Sequence, residues 1–452
     1  MHILLLSASI AIAAKKPLPE PDLHDMAGTL LGRALASDTT WTRLTELCDD
    51  IGPRLAGSDG LNRAIAWGAA AMAEDGLAAR LEPVTVPVWI RGAERASLLG
   101  PVPRELPILG LGGSVGTQPG GIDADVVVVH SFDELAALGK AGIEGRIVLY
   151  DVPFTTYGET VGYRWGGASA AAKHGAVAVL VRSVTPESLA TPHTGAMGYD
   201  PAAPKIPAAA VTTEDSAAIA RMAGKGTVRV HLEMSAKAAP DAPSANVVGE
   251  IRGREKPDEI VVLGCHLDSW DVGQGAQDDG AGWVMVMEAG RLIASLPVPP
   301  RRTVRVVLYT NEESGLAGGK AYAAAHAMER HVAALEADTG AGRPLGFRIQ
   351  GGADDEKPAD LDAFAELAGL LGPLRADTLE NGGAGADIGP LVATQGIGLG
   401  LINDMEPYWR IHHTAADTLD KIDPLVLREN AATVTLAAWW LAETPVVPAR
   451  TP

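Results

Sequence analysis

From residue 245 onward, short, largely apolar runs alternate with stretches whose apolar positions recur at helical spacing. Segments 260–264, 304–310, 332–337 and 397–402 read as strands, and 282–293, 318–326 and 426–441 as helices. A strand without a polar face is buried on both sides, and a chain that passes through a helix before each new strand lays those strands parallel. The pattern predicts an α/β fold with a mainly parallel central sheet flanked by helices. In such a sheet, ligands sit beyond the carboxyl ends of the strands. The polar residues of this half gather at those ends.

The first strand runs into Cys265-His266-Leu267-Asp268-Ser269-Trp270 and then Ala276-Gln277-Asp278-Asp279-Gly280. The second ends in Asn311-Glu312-Glu313-Ser314-Gly315, the third in Glu336-Ala337-Asp338, and His412-His413-Thr414-Ala415-Ala416-Asp417 follows the last. Imidazoles and carboxylates at one sheet edge are the donors that borderline divalent cations take. His266, Asp278, Glu313, Asp338 and His413 are enough ligands for two zinc ions sharing one carboxylate. Without cations, so many adjacent acids resist joint ionisation. Asp268, two residues past His266, and Asp417, four past His413, are placed to hold the outer imidazole nitrogens. Singly, each motif has an ordinary reading: a loop histidine, an Asp-Asp-Gly turn, an acidic helix start. In this order along one half of the chain, they point to a metal centre.

The rest of the chain is less pointed. Residues 23–77 carry helical periodicity around a Gly/Pro loop at 51–58, and 80–89 alternates like a strand that its prolines push to an edge. Gly and Pro crowd 109–121, and short β-rich runs follow until Pro240-Asp241-Ala242-Pro243. This divides the chain into an N-terminal part of the main domain (15–110), an inserted β-rich domain (111–238) and the catalytic part (239–452). Lys and Arg total 37 against 56 Asp and Glu, a formal charge of -19, which argues against nucleic acid as a partner. Two cysteines, Cys48 and Cys265, provide neither a disulfide framework nor a thiolate zinc site. Past the start no apolar run is long enough to span a membrane. The apolar stretch 3–14, ending in small residues, reads as a signal peptide (1–14) and predicts a secreted or periplasmic protein. A buried strand or helix in a cytoplasmic chain is the alternative.

The ordered set His266, Asp278-Asp279, Glu312-Glu313, Asp338 and His413 resembles the ligands and base of the co-catalytic di-zinc peptidases. That family includes secreted bacterial aminopeptidases and glutamate carboxypeptidase. The resemblance extends from about Leu23 to the terminal helix and includes GGSVGT, SFDEL, PHTG and PKIP around the insert. It implies a phosphorylase/hydrolase-like zinc-peptidase fold binding two Zn2+ per chain. Asp278 would bridge the ions through a cis peptide to Asp279. His266 and Asp338 would complete one ion, Glu313 and His413 the other. Glu312 would be the general base for a metal-bridging hydroxide. The resemblance further implies that the insert is a protease-associated domain beside the cleft, and that the chain is a secreted homodimer.

The activity so implied is hydrolysis of dipeptides or short peptides with free N-termini. A general secreted aminopeptidase is the alternative, and a non-catalytic binding protein on the same scaffold a further rival. Tyr408, Arg410 and His412, beside the last ligand, and Asp387, in the segment Gly385-Ala386-Asp387-Ile388-Gly389-Pro390, are candidate substrate-binding residues. That segment carries no aromatic residue, Asn311 stands before the Glu pair, and Thr414-Ala415-Ala416 is weakly polar, all departures from the family pattern. Gly112-Gly113-Ser114-Val115-Gly116 fits a serine-hydrolase elbow, but Thr117-Gln118-Pro119-Gly120-Gly121 cannot start the helix that motif requires.

Overall fold

A computed structural model describes residues 21–351 and 358–448, so the apolar segment read as a signal peptide lies outside the described residues. Among those described, no helix is long and apolar enough to cross a membrane. The chain forms two eight-stranded sheets.

At the heart of the larger sheet, Arg302–Tyr309, Lys256–His266, Arg330–Glu336 and Ile397–Asn403 lie side by side and run parallel. Their carboxyl ends therefore share one edge, where the polar motifs begin. The flanks depart from the expected parallel sheet. Lys237–Ile251 and Ala78–Ile90 on one side, and Pro344–Gln350 on the other, pair antiparallel. The reason is connectivity: Lys237–Ile251 arrives directly from the second sheet instead of through a crossover helix. Ala78–Ile90 is the edge strand its prolines require, and its register slips between Val86 and Val88, around Pro87. Helices Ala281–Ala294 and Pro424–Glu443 pack against each other on the sheet and bury Trp283, Trp439 and Trp440. Both are buried almost all round, which is why their sequences show little polar face.

The second sheet differs from the expected β-rich insert in extent and in class. Glu94–Gly100, Arg104–Leu106 and Ile108–Gly110, ahead of the expected boundary at 111, belong to it. Ile122–Val129, Ile147–Tyr150, Ala178–Arg182 and Ala208–Val211 form a parallel half, covered by helices Phe132–Ile143, Tyr157–Ala172 and Thr213–Ala223. Pairing of Glu94–Gly100 with Arg229–Met234 spans the whole segment, and no local cluster of Gly and Pro announces such a contact. Arg91, just past the edge strand, ties the two sheets together. It donates to the Asp271 carboxylate at 2.6 and 2.9 Å and to the Gly110 carbonyl at 2.5 Å.

Candidate metal centre and active-site cleft

Five side chains from four segments meet at the shared sheet edge. His266 closes its strand, Asp278 lies in the turn Ala276–Gly280, and Glu313 and Asp338 follow the strands on either side. His413 follows the short helix Glu406–Ile411. Their donor atoms form two groups, His266–Asp278–Asp338 and Asp278–Glu313–His413, each within 4.8 Å. Asp278 belongs to both. Its Oδ1 lies 3.1 Å from His266 Nε2, and its Oδ2 3.1 Å from His413 Nε2. Asp338 Oδ1 is 3.3 Å from His266 Nε2, and Glu313 Oε2 is 3.1 Å from His413 Nε2. The peptide joining Asp278 to Asp279 is cis.

This donor set fits divalent cations. Imidazole nitrogens and carboxylate oxygens converge, and among the described residues no lysine or arginine forms an ion pair with these carboxylates and the buried Glu313 Oε1 has no hydrogen-bond partner. The electrostatics say the same. Burial opposes a charged imidazole, yet Asp338 and Asp278 outweigh it and hold His266 well above the usual histidine range. Glu313 and Asp278 do the same to His413. Positive charge is favoured between these groups, which is what a bound cation would supply.

Glu312 lines the cleft beside this set but belongs to neither donor group. Burial first, then the charges of Asp338, Glu313 and Asp268, push its carboxyl well above the ordinary glutamate range. Asp279 accepts from the backbone N–H of His266 at 3.2 Å and of Gly282 at 3.0 Å, which anchors the turn to the following helix.

Asp268 and Asp417 support the site differently from the sequence expectation. The partner of His266 Nδ1 is the Asp268 backbone carbonyl at 2.9 Å, with the nearer carboxylate oxygen at 3.9 Å. Two residues along the chain, the carbonyl reaches the ring first, and the short side chain turns instead to accept from Glu312 N–H at 3.0 Å. Asp417 accepts from the backbone N–H groups of Gln277 at 2.7 Å and Asp278 at 3.2 Å, so it braces the turn that carries Asp278 and not His413.

Of the substrate-binding candidates, Tyr408 and His412 line the cleft. Tyr408 Oη donates to Asp278 Oδ2 at 3.0 Å, and both ring nitrogens of buried His412 lack partners among the described residues. The other two lie elsewhere. Arg410 is half-exposed and pairs with Glu187 and Glu406, because helical spacing turns Tyr408 and His412 inward and the residue between them out. Asp387 is buried away from the cleft lining, with both carboxylate oxygens unpartnered. Burial and the charges of Glu336 and Glu312 favour its neutral form. Ser114 is 1% exposed, its Oγ donating to the Val115 carbonyl and accepting from Ala208 N–H, which leaves the serine-hydrolase elbow without a nucleophile.

The cleft measures about 550 Å³. Much of its wall escaped the sequence reading: Tyr157, Arg164 and Trp165 come from the second sheet's helix Tyr157–Ala172, and Trp409 from beside Tyr408. The one local signal was an arginine between two aromatics, Tyr163-Arg164-Trp165, in a helix otherwise rich in Gly and Ala. Arg54, in the Gly/Pro loop, also passed unnoticed. Fully buried, it donates to the carbonyls of Gly52, Leu267, Gln274 and Gly275 and so holds the loop between His266 and Asp278.

Comparison with known proteins places this fold and site. Residues 246–438 match the model of peptidase family M28. Over 428 residues the chain is 41% identical to carboxypeptidase Q of Xenopus laevis, covering 93% of this chain and 90% of that one. The human carboxypeptidase Q is 40% identical over 426 residues, covering 93% and 89%. A solved M28 peptidase precursor from Shewanella amazonensis superposes with a TM-score of 0.89 at 36% identity, covering 95% of this chain and 98% of that one. The chain belongs to peptidase family M28 and is a metallopeptidase. Within that family, the Xenopus and human relatives, matched along nearly the whole length, carry the name carboxypeptidase Q.

Proposed function

We propose that this chain is a di-zinc exopeptidase that hydrolyses dipeptides or short peptides with free N-termini. The observation that carries the reading is Asp278, which offers one oxygen to each of two His/carboxylate groups while Glu312 stays outside both. A shared carboxylate is what two adjacent cations require, and an unused acid at the cleft floor is what proton transfer requires. The relatives named as carboxypeptidases support exopeptidase chemistry, and the family supports a peptide substrate. The second sheet, which supplies one wall of the cleft, is read as a protease-associated domain.

His266, Asp278 and Asp338 would hold one zinc ion, and Asp278, Glu313 and His413 the other. Bound there, the ions supply positive charge that polarises a peptide carbonyl and acidifies water. Glu312 accepts the proton of the attacking water and delivers it to the departing amine. Asp417 and Tyr408 hold Asp278 in place from its backbone and carboxylate sides.

The test is cleavage of unblocked dipeptides, N-acetylated dipeptides and aminoacyl-anilides by protein as isolated, after chelation and after zinc return. Loss on chelation and recovery with zinc, confined to unblocked dipeptides, is the expected result. Equal cleavage of anilides would move the enzyme to a general aminopeptidase. Activity that survives complete metal removal would overturn the reading.

A further inference from the structure

The two metal-binding groups draw on different parts of the molecule. His266 closes a strand of the larger sheet, and its outer nitrogen, Nδ1, faces the Asp268 carbonyl at 2.9 Å. The Trp283 indole N–H donates to the His266 backbone carbonyl from a helix on the same sheet. Among the described residues, no hydrogen bond or ring contact ties His266 or Asp338 to the second sheet.

His413 is held from outside. Its φ of +61° is a left-handed conformation that a residue with a Cβ keeps only where its surroundings impose it. Those surroundings come from the second sheet. Thr194 N–H donates to the His413 carbonyl at 3.0 Å, and Thr185 Oγ1 to the Trp409 carbonyl at 2.6 Å. Among the described residues no acceptor meets His413 Nδ1, whose neighbour is the Arg164 guanidinium at 3.5 Å. A ligating imidazole without an acceptor on its outer nitrogen lacks the usual device that fixes its orientation. The ring then depends on what packs against it.

What packs against it is Trp270. The indole meets the His413 ring edge to face at 5.7 Å and 63°, and Trp89 of the edge strand at 6.4 Å and 77°. A Cβ at Gly112, just past the second-sheet strand Ile108–Gly110, would fall 2.0 Å from the indole, so backbone lies directly on that ring. This backbone is pinned: Gly112 N–H donates to the Gly195 carbonyl at 3.0 Å, and the Gly112 carbonyl accepts from Met197 N–H at 2.9 Å. Trp270 is 3% exposed and its Nε1 has no partner among the described residues, so packing alone fixes the indole.

We infer that Trp270 is a positioning residue for His413, through which the docking of the second sheet sets how firmly the Asp278–Glu313–His413 group binds its ion. This rests on the di-zinc reading and makes the two metal positions unequal. Only the His413 position answers to the second sheet. A metal ligand has to be held within roughly 0.5 Å of its productive place, and a displaced indole removes that constraint from one ligand of the five.

The experiment measures zinc per chain after dialysis against graded chelator, with calorimetric titration of zinc into the metal-free protein. The wild type is expected to hold two ions. Trp270→Leu should weaken one of them by about 10- to 100-fold, the usual cost of losing an outer support of a ligand, and leave the other unchanged. Gly112→Ala, which pushes the indole from its seat without altering it, should do the same, and Trp270→Phe should restore part of the loss. The double variant Trp270→Leu/His413→Ala should hold as much zinc as His413→Ala alone, because both changes act on one ligand. Ile219→Ala, which thins a core cluster of the second sheet that excludes Trp270, should keep both ions. Wild-type affinity for both ions in Trp270→Leu and Gly112→Ala overturns the inference. So does additive loss in the double variant, or an equal loss in Ile219→Ala. A wild type that holds a single ion sinks the di-zinc reading alone, and the comparison of Trp270→Leu with His413→Ala still decides the inference. A wild type that binds no zinc sinks both.

Discussion

The floor and the wall of the cleft are built in opposite ways. On the floor, loops at the ends of adjacent parallel strands bring His266, Asp278, Glu312, Glu313 and Asp338 together, and the acids around them are tied to backbone N–H groups. On the wall, the helix Tyr157–Ala172 presents Tyr157, Trp165 and the Arg164 guanidinium, and among the described residues the His412 ring nitrogens have no hydrogen-bond partner. The floor uses its polar groups to fix geometry. The wall leaves some of its polar groups, Arg164 Nε and the His412 ring nitrogens, without partners among the described residues. The two halves of the cleft can therefore be perturbed separately.

The largest effect belongs to the floor. Glu312→Gln is expected to lower kcat by about 10³-fold while elemental analysis finds the metal content unchanged. Normal turnover with metal in place would end the assignment of proton transfer to the floor. Next is the support beneath it: Arg54→Met leaves loop carbonyls without donors and should cost about 3 kcal/mol in chemical denaturation. Unchanged stability would mean that the loop carrying Asp278 holds itself.

Farther from the cleft, His331 contrasts with the imidazoles of the floor, whose acid neighbours favour positive charge. Burial, then Arg305, pushes it down to about 4, so the folded protein keeps it neutral. The unfolded chain protonates it near its ordinary value of about 6.5. Its contribution is therefore intact above that pH and is lost as pH falls towards 4. At pH 5 the loss is about 2 kcal/mol, and His331→Gln should flatten this part of the stability profile. The smallest effect is Ser114→Ala, which removes the acceptor for Ala208 N–H, costs about 1 kcal/mol and leaves turnover intact. Lost turnover there would return the serine elbow to the mechanism.

The parts of the floor that were legible in the chain share a cause. Metal-binding donors come from few residue types, and an apolar strand announces where it ends, so His266, Glu312-Glu313 and Asp338 could be placed at one sheet edge from local pattern. The supporting roles of Asp268 and Asp417 were not readable in that way. Sequence spacing puts each near an imidazole, but whether carbonyl or carboxylate reaches the ring depends on a few ångströms of loop geometry. Arg410 shows the same limit on a helix, where its neighbours point inward and it does not.

Residue chemistry and periodicity, both properties of neighbours along the chain, were enough to place an α/β sheet with candidate metal-binding side chains at its carboxyl edge. The antiparallel flanks, the strands before residue 111 that join the second sheet, and the placing of Arg164 beside His413 were settled by folding. Arg164 and His413 are 249 positions apart. A contact across that separation depends on how two sheets pack, and packing leaves no period in the sequence on either side of it.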